Sequence, residues 1–124
     1  MVHYAIAGRV DSQELTVCER LLDMLTMSLP DFTVEKDFCL PANWKDRSAA
    51  LSQNMGFSLP NKGTTKPLVI WTNGRLVATS AEDFTRFVLM HYGIRIDLTA
   101  EQVANYTVAN HDLLLAQEKE LVRD

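Results

Sequence analysis

The segment from Pro67 to Asp83 constrains the fold of this chain most strongly, because it combines two strands, a tight turn and a helix start. The apolar run Pro67–Thr72 (PLVIWT) predicts a buried strand. Asn73-Gly74 is typical of a two-residue hairpin turn, and Arg75–Thr79 (RLVAT) supplies the antiparallel partner. Ser80 to Asp83 (SAED) then opens a helix with a capping-box pattern. The segment therefore predicts a β-β-α unit.

A β-α-β unit is predicted upstream of this segment. Val2–Ala7 (VHYAIA) reads as a buried strand, and residues 8–12 follow as a turn. Phe32–Lys36 (FTVEK) alternates apolar and polar residues and predicts a second strand. The helix between them has one apolar face, formed by Leu15, Cys18, Leu22 and Leu25. Asp11 is its expected N-cap, Glu14 completes a capping box, and Pro30 lies just beyond its end. The crossover should be right-handed, with the two strands parallel.

The remaining elements complete an α/β domain. After a break at residues 41–43, Trp44–Met55 predicts a helix, and Gly56–Thr65 predicts a polar loop. The helix that opens at Ser80 ends at Gly93, and its expected inner face carries Phe84, Phe87, Val88 and His91. A last helix starts at Thr99 and runs to about residue 122, either packed by its first half or projecting. We therefore expect a domain over residues 1–98 and a helical extension over residues 99–124.

This order of elements is the glutaredoxin order, and the segment PLVIWTNGRLVATSAED looks like the second half of a glutaredoxin. The resemblance implies a thioredoxin-like three-layer αβα sandwich with a mixed four-stranded sheet. It also makes Pro67 the candidate cis-proline.

A narrower resemblance rests on AIAGRVDS (Ala5–Ser12), LPDF (Leu29–Phe32), the spacing of Pro41 and Trp44, and the strand from Pro67 to Trp71. From Met1 to about Thr99, these resemble the N-terminal domain of the putative malate dehydrogenase 1B proteins, which are associated with ciliated and flagellated cells. The dehydrogenase chemistry of such proteins would belong to a later nucleotide-binding domain, since no G-x-G-x-x-G motif follows a strand here.

Thiol–disulfide exchange needs a thiolate at the start of the first helix, and no CxxC motif stands there. Ser12 occupies the position of the first cysteine, so that Asp11 and Ser12 mark a vestigial active site. We expect Cys18 to be a core residue and Cys39 an ordinary thiol near a strand end. The alternative is a thiol transferase that uses Cys18 or Cys39.

A ligand groove is the second alternative for the same region. By likeness to glutaredoxins, glutathione would bind beside Lys66, Pro67, Glu82 and Asp83, although Ala78, Thr79 and Ser80 replace the usual glycine pair. The other interpretation of these residues is capping and turn formation. Arg9 could bind an anion at the helix start, but a solvated charge or an ion pair with Asp11 or Glu14 is favoured.

Charge and composition limit the classes of partner and the location that we expect for this chain. The net charge of -4 argues against nucleic-acid binding, and no apolar run approaches the roughly 20 residues that span a bilayer. No signal peptide is evident, so a cytoplasmic location is expected, and by resemblance a cilium or flagellum. His3, His91 and His111 form no metal-ligand spacing. Trp71 is expected to be at least half buried, while Trp44 could be a core residue or an interface anchor. The sequence favours a redox-inactive protein-interaction domain without a cofactor over a glutathione-dependent enzyme.

Overall fold

The computed structural model describes residues 2–55 and 67–122, and the side chains of these residues except 52–55 and 118–122. These residues form, in chain order, β1 Val2–Arg9, α1 Gln13–Ser28, β2 Phe32–Cys39, α2 Pro41–Met55, β3 Leu68–Thr72, β4 Arg75–Ala78, α3 Ala81–Tyr92 and α4 Ala100–Val122. The predicted loop over residues 56–65 lies outside the described residues.

The four strands form one mixed sheet in the order β2-β1-β3-β4. β1 pairs with β2 in parallel and with β3 antiparallel, and β4 is antiparallel to β3. At the hairpin, Asn73 and Gly74 both have positive φ angles, 51° and 74°, as a type I′ turn requires. The β-α-β and β-β-α units are therefore confirmed, and β1 lies at the centre of the sheet.

Helices cover both faces of the sheet, because alternate residues of each strand point to opposite sides. Tyr4 and Ile6 of β1 belong to the larger core cluster, which α1 and α3 cover with buried side chains that include Leu22, Phe84 and Val88. On the other face, Trp44 and Leu51 of α2 pack against Ala7 and Val69. This is the predicted three-layer αβα arrangement of a thioredoxin-like domain. Trp44 is a core residue at 2% exposure, and Trp71 is more than half buried, as predicted.

Three predicted boundaries differ from those observed. β1 continues through Gly8 and Arg9, where a turn was expected, because these residues still pair with Phe38 and Cys39 of an equally extended β2. α2 begins at Pro41 rather than at Trp44. A proline is compatible with the first helical position, because its missing N–H has no partner within the helix there.

The end of α3 also corrects a prediction. Gly93 ends the helix in the left-handed conformation, as expected, and its N–H donates to the Leu89 carbonyl at 3.0 Å. His91, however, is exposed rather than on the inner face. Its ring stacks on the half-buried Phe87, with the ring centroids 4.1 Å apart, so that the polar imidazole remains in contact with solvent.

The first half of α4 packs on α1 mainly through polar contacts. The Thr16 and Thr107 hydroxyls lie 2.6 Å apart, and the Asn110 amide donates to Glu19 at 2.9 Å. Arg20 stacks over the Tyr106 ring, with 3.7 Å between the guanidinium carbon and the ring centroid. A capping box at Thr99 and Gln102 starts this helix as predicted, with reciprocal bonds of 3.0 and 3.1 Å. Packing by the first half is thus the correct alternative.

Candidate functional site

The region predicted to hold a site is assembled from three segments that are distant in the sequence. The end of β1 meets the start of β3, where the Arg9 N–H donates to the Pro67 carbonyl at 2.8 Å. The start of α1 meets the start of α3, where the Ala81 N–H donates to Glu14 Oε1 at 3.1 Å. Lys66 and the isomer of the Lys66–Pro67 bond lie outside the described residues.

Ser12 stands at the start of α1, where a thiolate would be needed for thiol chemistry. It is the N-cap of the helix, with its hydroxyl accepting from the Leu15 N–H, and only 7% of the residue is exposed. The predicted N-cap, Asp11, is therefore wrong. The Asp11 carboxylate instead pairs with Arg9 at 2.6 Å, so that, of the alternatives expected for Arg9, the ion pair with Asp11 is the one observed.

The start of α3 is occupied by side chains of the protein itself. Ser80 is the N-cap, and its hydroxyl accepts from the Asp83 N–H at 3.2 Å. Glu14, which was expected to cap its own helix, instead accepts from the Ala81 N–H. Glu82 and Asp83 are exposed, and the Glu82 carboxylate pairs with Arg86 at 3.2 Å. The amide groups that bind anions at a helix N-terminus thus already have internal partners at two positions.

The two cysteines lie in different surroundings. Cys18 is in the second turn of α1 and is fully buried in the larger core cluster. Burial, and secondly the nearby charge of Glu14, raises the pKa of the Cys18 thiol, so that the thiolate form is strongly disfavoured. Cys39 is half-buried at the end of β2, and its carbonyl accepts from the Val10 N–H at 2.8 Å. The prediction of a core residue at position 18 is confirmed.

His3 makes local contacts with residues of the neighbouring strand. His3 lies 2.8 Å from the Thr33 hydroxyl and 3.6 Å from Glu35 on the surface of the sheet. Within residues 2–55 and 67–122, no group of three His, Cys, Asp or Glu side chains could hold a metal ion. Over the same ranges, no helix combines the length and the apolar character that crossing a membrane requires.

Two features of the region were not predicted. The first is the hydrogen bond that Glu14 accepts from the Ala81 N–H at the start of α3. It was missed because the local sequence pattern predicted that Glu14 would cap its own helix. The second is a pair of cavities, of about 310 and 270 Å³, that lie on opposite faces of the sheet along β2. The larger cavity is lined by Leu113 and Leu114 of α4, and the apolar residues scattered through this helix were the sequence signal that could have predicted it.

Together, the fold and this region define a thioredoxin-like αβα domain in which a capping serine stands at the start of α1. The chain belongs to the putative malate dehydrogenase 1B N-terminal domain family, whose sequence profile matches residues 3–123. The resemblance seen in the sequence is thus confirmed, and the matched range takes in α4 as well as the sandwich. No curated protein matches the chain.

Proposed function

We propose that this domain binds protein partners and does not catalyse thiol–disulfide exchange. The observation that supports it best is the start of α1, where Ser12 caps the helix and the hydroxyl accepts from the Leu15 N–H. A serine hydroxyl does not ionise at neutral pH, and it cannot form the mixed disulfide that exchange requires. Cys18, the only thiol on α1, is enclosed by the core.

The rival function, glutathione binding or thiol transfer, has less support. A ligand carboxylate at the start of α3 would have to displace Glu14 from the Ala81 N–H, and it would meet the exposed carboxylates of Glu82 and Asp83. A thiolate at Cys18 would require the larger core to open. Both steps carry a free-energy cost that an intact glutaredoxin-like site would avoid.

Family membership supports a place for the domain in a longer protein. On the same basis we propose that the protein works in the cytoplasm, and in the cilium or flagellum of cells that build one. We infer no dehydrogenase activity for the domain itself.

A thiol-transfer assay separates the two functions. The purified chain is mixed with glutathione and a small mixed-disulfide substrate, beside an active glutaredoxin as positive control. We expect no turnover above the rate without protein. Turnover that is lost in Cys18→Ser or in Cys39→Ser would overturn the proposal and identify the thiol responsible.

A partner assay tests the binding role directly. The tagged chain is expressed in ciliated cells, and proteins that co-purify with it are then recombined with the purified chain. We expect at least one of them to bind with a defined stoichiometry and to be found with the chain in the cilium. A chain that binds none of these proteins in purified form would contradict the binding role.

A further inference from the structure

β2 is an edge strand of the described sheet, since it pairs with β1 alone. The Val2 N–H donates to the Asp31 carbonyl and the Val10 N–H to the Cys39 carbonyl, so odd-numbered residues of this segment face β1. In a parallel pair, the N–H and C=O groups of alternate residues point to opposite edges. Val34, Lys36 and Phe38 therefore direct their backbone groups away from the sheet, which is the arrangement that accepts another strand.

Each face of the sheet has a cavity beside this edge. On the α2 face, a cavity of about 270 Å³ has Ala5, Leu51 and Trp71 among its lining residues, together with the charged side chains of Glu35, Asp37 and Arg47. On the α1 face, a cavity of about 310 Å³ is lined by apolar side chains of Val10, Phe38, Leu113 and Leu114 and by the polar group of Glu19, Lys36 and Asn110. A strand added to β2 would direct alternate side chains to these two faces.

The charges on the two faces differ. On the α2 face, Arg47 pairs with Asp37, while the Glu35 side chain is 71% exposed and, among the described residues, forms an ion pair with His3 alone, at 3.6 Å. An exposed carboxylate on the edge strand suits a lysine or arginine directly opposite it on an added strand, because opposite charges stabilise cross-strand pairs. On the α1 face, Lys36 is already paired with Glu19 and Asp23, at 3.1 and 3.0 Å. The exposed Leu113 and the half-buried Leu114 there suit an apolar side chain.

We propose that β2 binds an extended segment of a partner protein as a fifth strand, with basic side chains beside Glu35 alternating with apolar side chains beside Phe38. The inference rests on the proposed protein-binding role and names the chemistry of the partner. Backbone hydrogen bonds to Val34, Lys36 and Phe38 supply affinity, and the two cavities select the side chains.

Two central registers of a second copy of the chain bring like charges together at this edge. Two β2 strands paired antiparallel about a two-fold axis keep each face on its own side, so only residues of the same parity lie opposite each other. A register centred on Glu35 places two glutamates opposite each other. A register centred on Lys36 opposes two lysines and places Glu35 opposite Asp37. Like charges directly opposite destabilise strand pairing.

The test uses fluorescein-labelled octapeptides and fluorescence anisotropy with the full chain. The probe alternates lysine and valine. One control has the same composition in two blocks, four lysines followed by four valines, and a second control alternates glutamate and valine. We expect the alternating lysine peptide to bind about tenfold more tightly than either control. Equal binding of the two lysine peptides would reduce the interaction to net charge and overturn the proposal.

Backbone pairing is tested by N-methylation of the peptide. In a strand, the N–H groups of the lysines point to one edge and those of the valines to the other. Methylating one set should weaken binding about tenfold, whereas methylating the other set should leave it unchanged. Equal effects of the two methylations would exclude strand addition. This arm does not depend on the folding of any variant.

A matched pair of protein variants locates the edge. Lys36→Ala and Lys36→Pro both remove the ammonium group, but only the proline also removes an outward N–H, and an edge position tolerates proline. We expect Lys36→Pro to bind the peptide about tenfold more weakly than Lys36→Ala, with both variants folded by circular dichroism. Equal binding by the two variants would overturn the proposal, as would a dimer of the chain that Lys36→Pro dissociates.

The failure of this proposal can be told from the failure of the protein-binding role. A cellular partner that binds Lys36→Pro as tightly as Lys36→Ala removes β2 as the site and leaves the binding role intact. Thiol-transfer activity of a chain that binds no protein partner would contradict the protein-binding role itself.

Discussion

Gly8 lies where β1, α1 and the start of β3 meet, and Gly8→Ala tests how tightly these segments are packed. A Cβ atom at this position would lie 2.6 Å from Leu15 Cδ1 and 2.9 Å from the Pro67 carbonyl oxygen. Leu15 is only 2% exposed, so its side chain has little room to move. The Pro67 oxygen belongs to the backbone and accepts the Arg9 N–H at 2.8 Å. The substitution should therefore separate β1 from β3 locally.

The magnitude follows from two contributions. Overpacking a core by one methyl group costs about 1–3 kcal/mol, and weakening a backbone hydrogen bond costs about 0.5–1.5 kcal/mol. We expect Gly8→Ala to lower the free energy of unfolding by about 2–4 kcal/mol. With a urea m-value of about 2 kcal/mol per molar, the midpoint of urea denaturation falls by about 1–2 M.

Two comparisons make this result diagnostic. Leu15→Ala removes the closer contact, so the double variant should be less destabilised than the sum of the single variants, by about 1 kcal/mol or more. Gly74→Ala is the control, because its Cβ meets open space and only its φ of 74° is unfavourable. That variant should lose about 1 kcal/mol, additively with Leu15→Ala. A loss below about 0.5 kcal/mol for Gly8→Ala would refute the argument from close approach.

Three further predictions concern side chains of α1: the buried thiol of Cys18, and Glu14 and Arg20, which contact other helices. Because burial raises the pKa of Cys18, its unfolded thiol releases a proton near pH 9.0 while the folded thiol retains it. This group alone should therefore lower stability by about 1.4 kcal/mol per pH unit above that value, and urea titrations should show that Cys18→Ala loses correspondingly less stability than the unchanged chain. Glu14→Ala leaves the Ala81 N–H without its acceptor and should lower the free energy of unfolding, measured by thermal denaturation, by about 1 kcal/mol. Glu14→Gln keeps an acceptor oxygen and should retain most of that stability. Equal losses for the two variants would exclude the hydrogen bond. Arg20→Met should weaken the contact with Tyr106 by about 1 kcal/mol and speed hydrogen exchange in α4 more than in α3, and unchanged exchange in α4 would contradict that role.

Local signals predicted most of the fold. The hairpin at Asn73-Gly74, the capping box at Thr99 and the stop at Gly93 were correct, because each depends on backbone conformations that only a few residue types favour. The core face of α1 was also correct, since helical periodicity alone defines it.

The errors arose where a distant partner decided between equal local choices. Asp11 and Ser12 are both good N-caps, and Glu14 three residues after Asp11 made that residue the preferred one. In the folded chain, Arg9 pairs with Asp11 and the start of α3 binds Glu14, which leaves the cap to Ser12. No local pattern reveals a contact between residues 14 and 81. The cavities along β2 were missed for the same reason, because α4 completes one of them from the far end of the sequence.

The central position of β1 has a consequence for synthesis on the ribosome. Ala5 pairs with Glu35 on one side and with Trp71 on the other, so its second partner is made 66 residues later, which takes about 3–13 s at the usual rate of translation. During that interval the edge of the apolar first strand that pairs with β3 has no hydrogen-bonded partner, and α3 is not yet present to cover the strand. Chaperones that bind extended apolar segments of nascent chains should therefore engage this strand first and release it once the hairpin emerges.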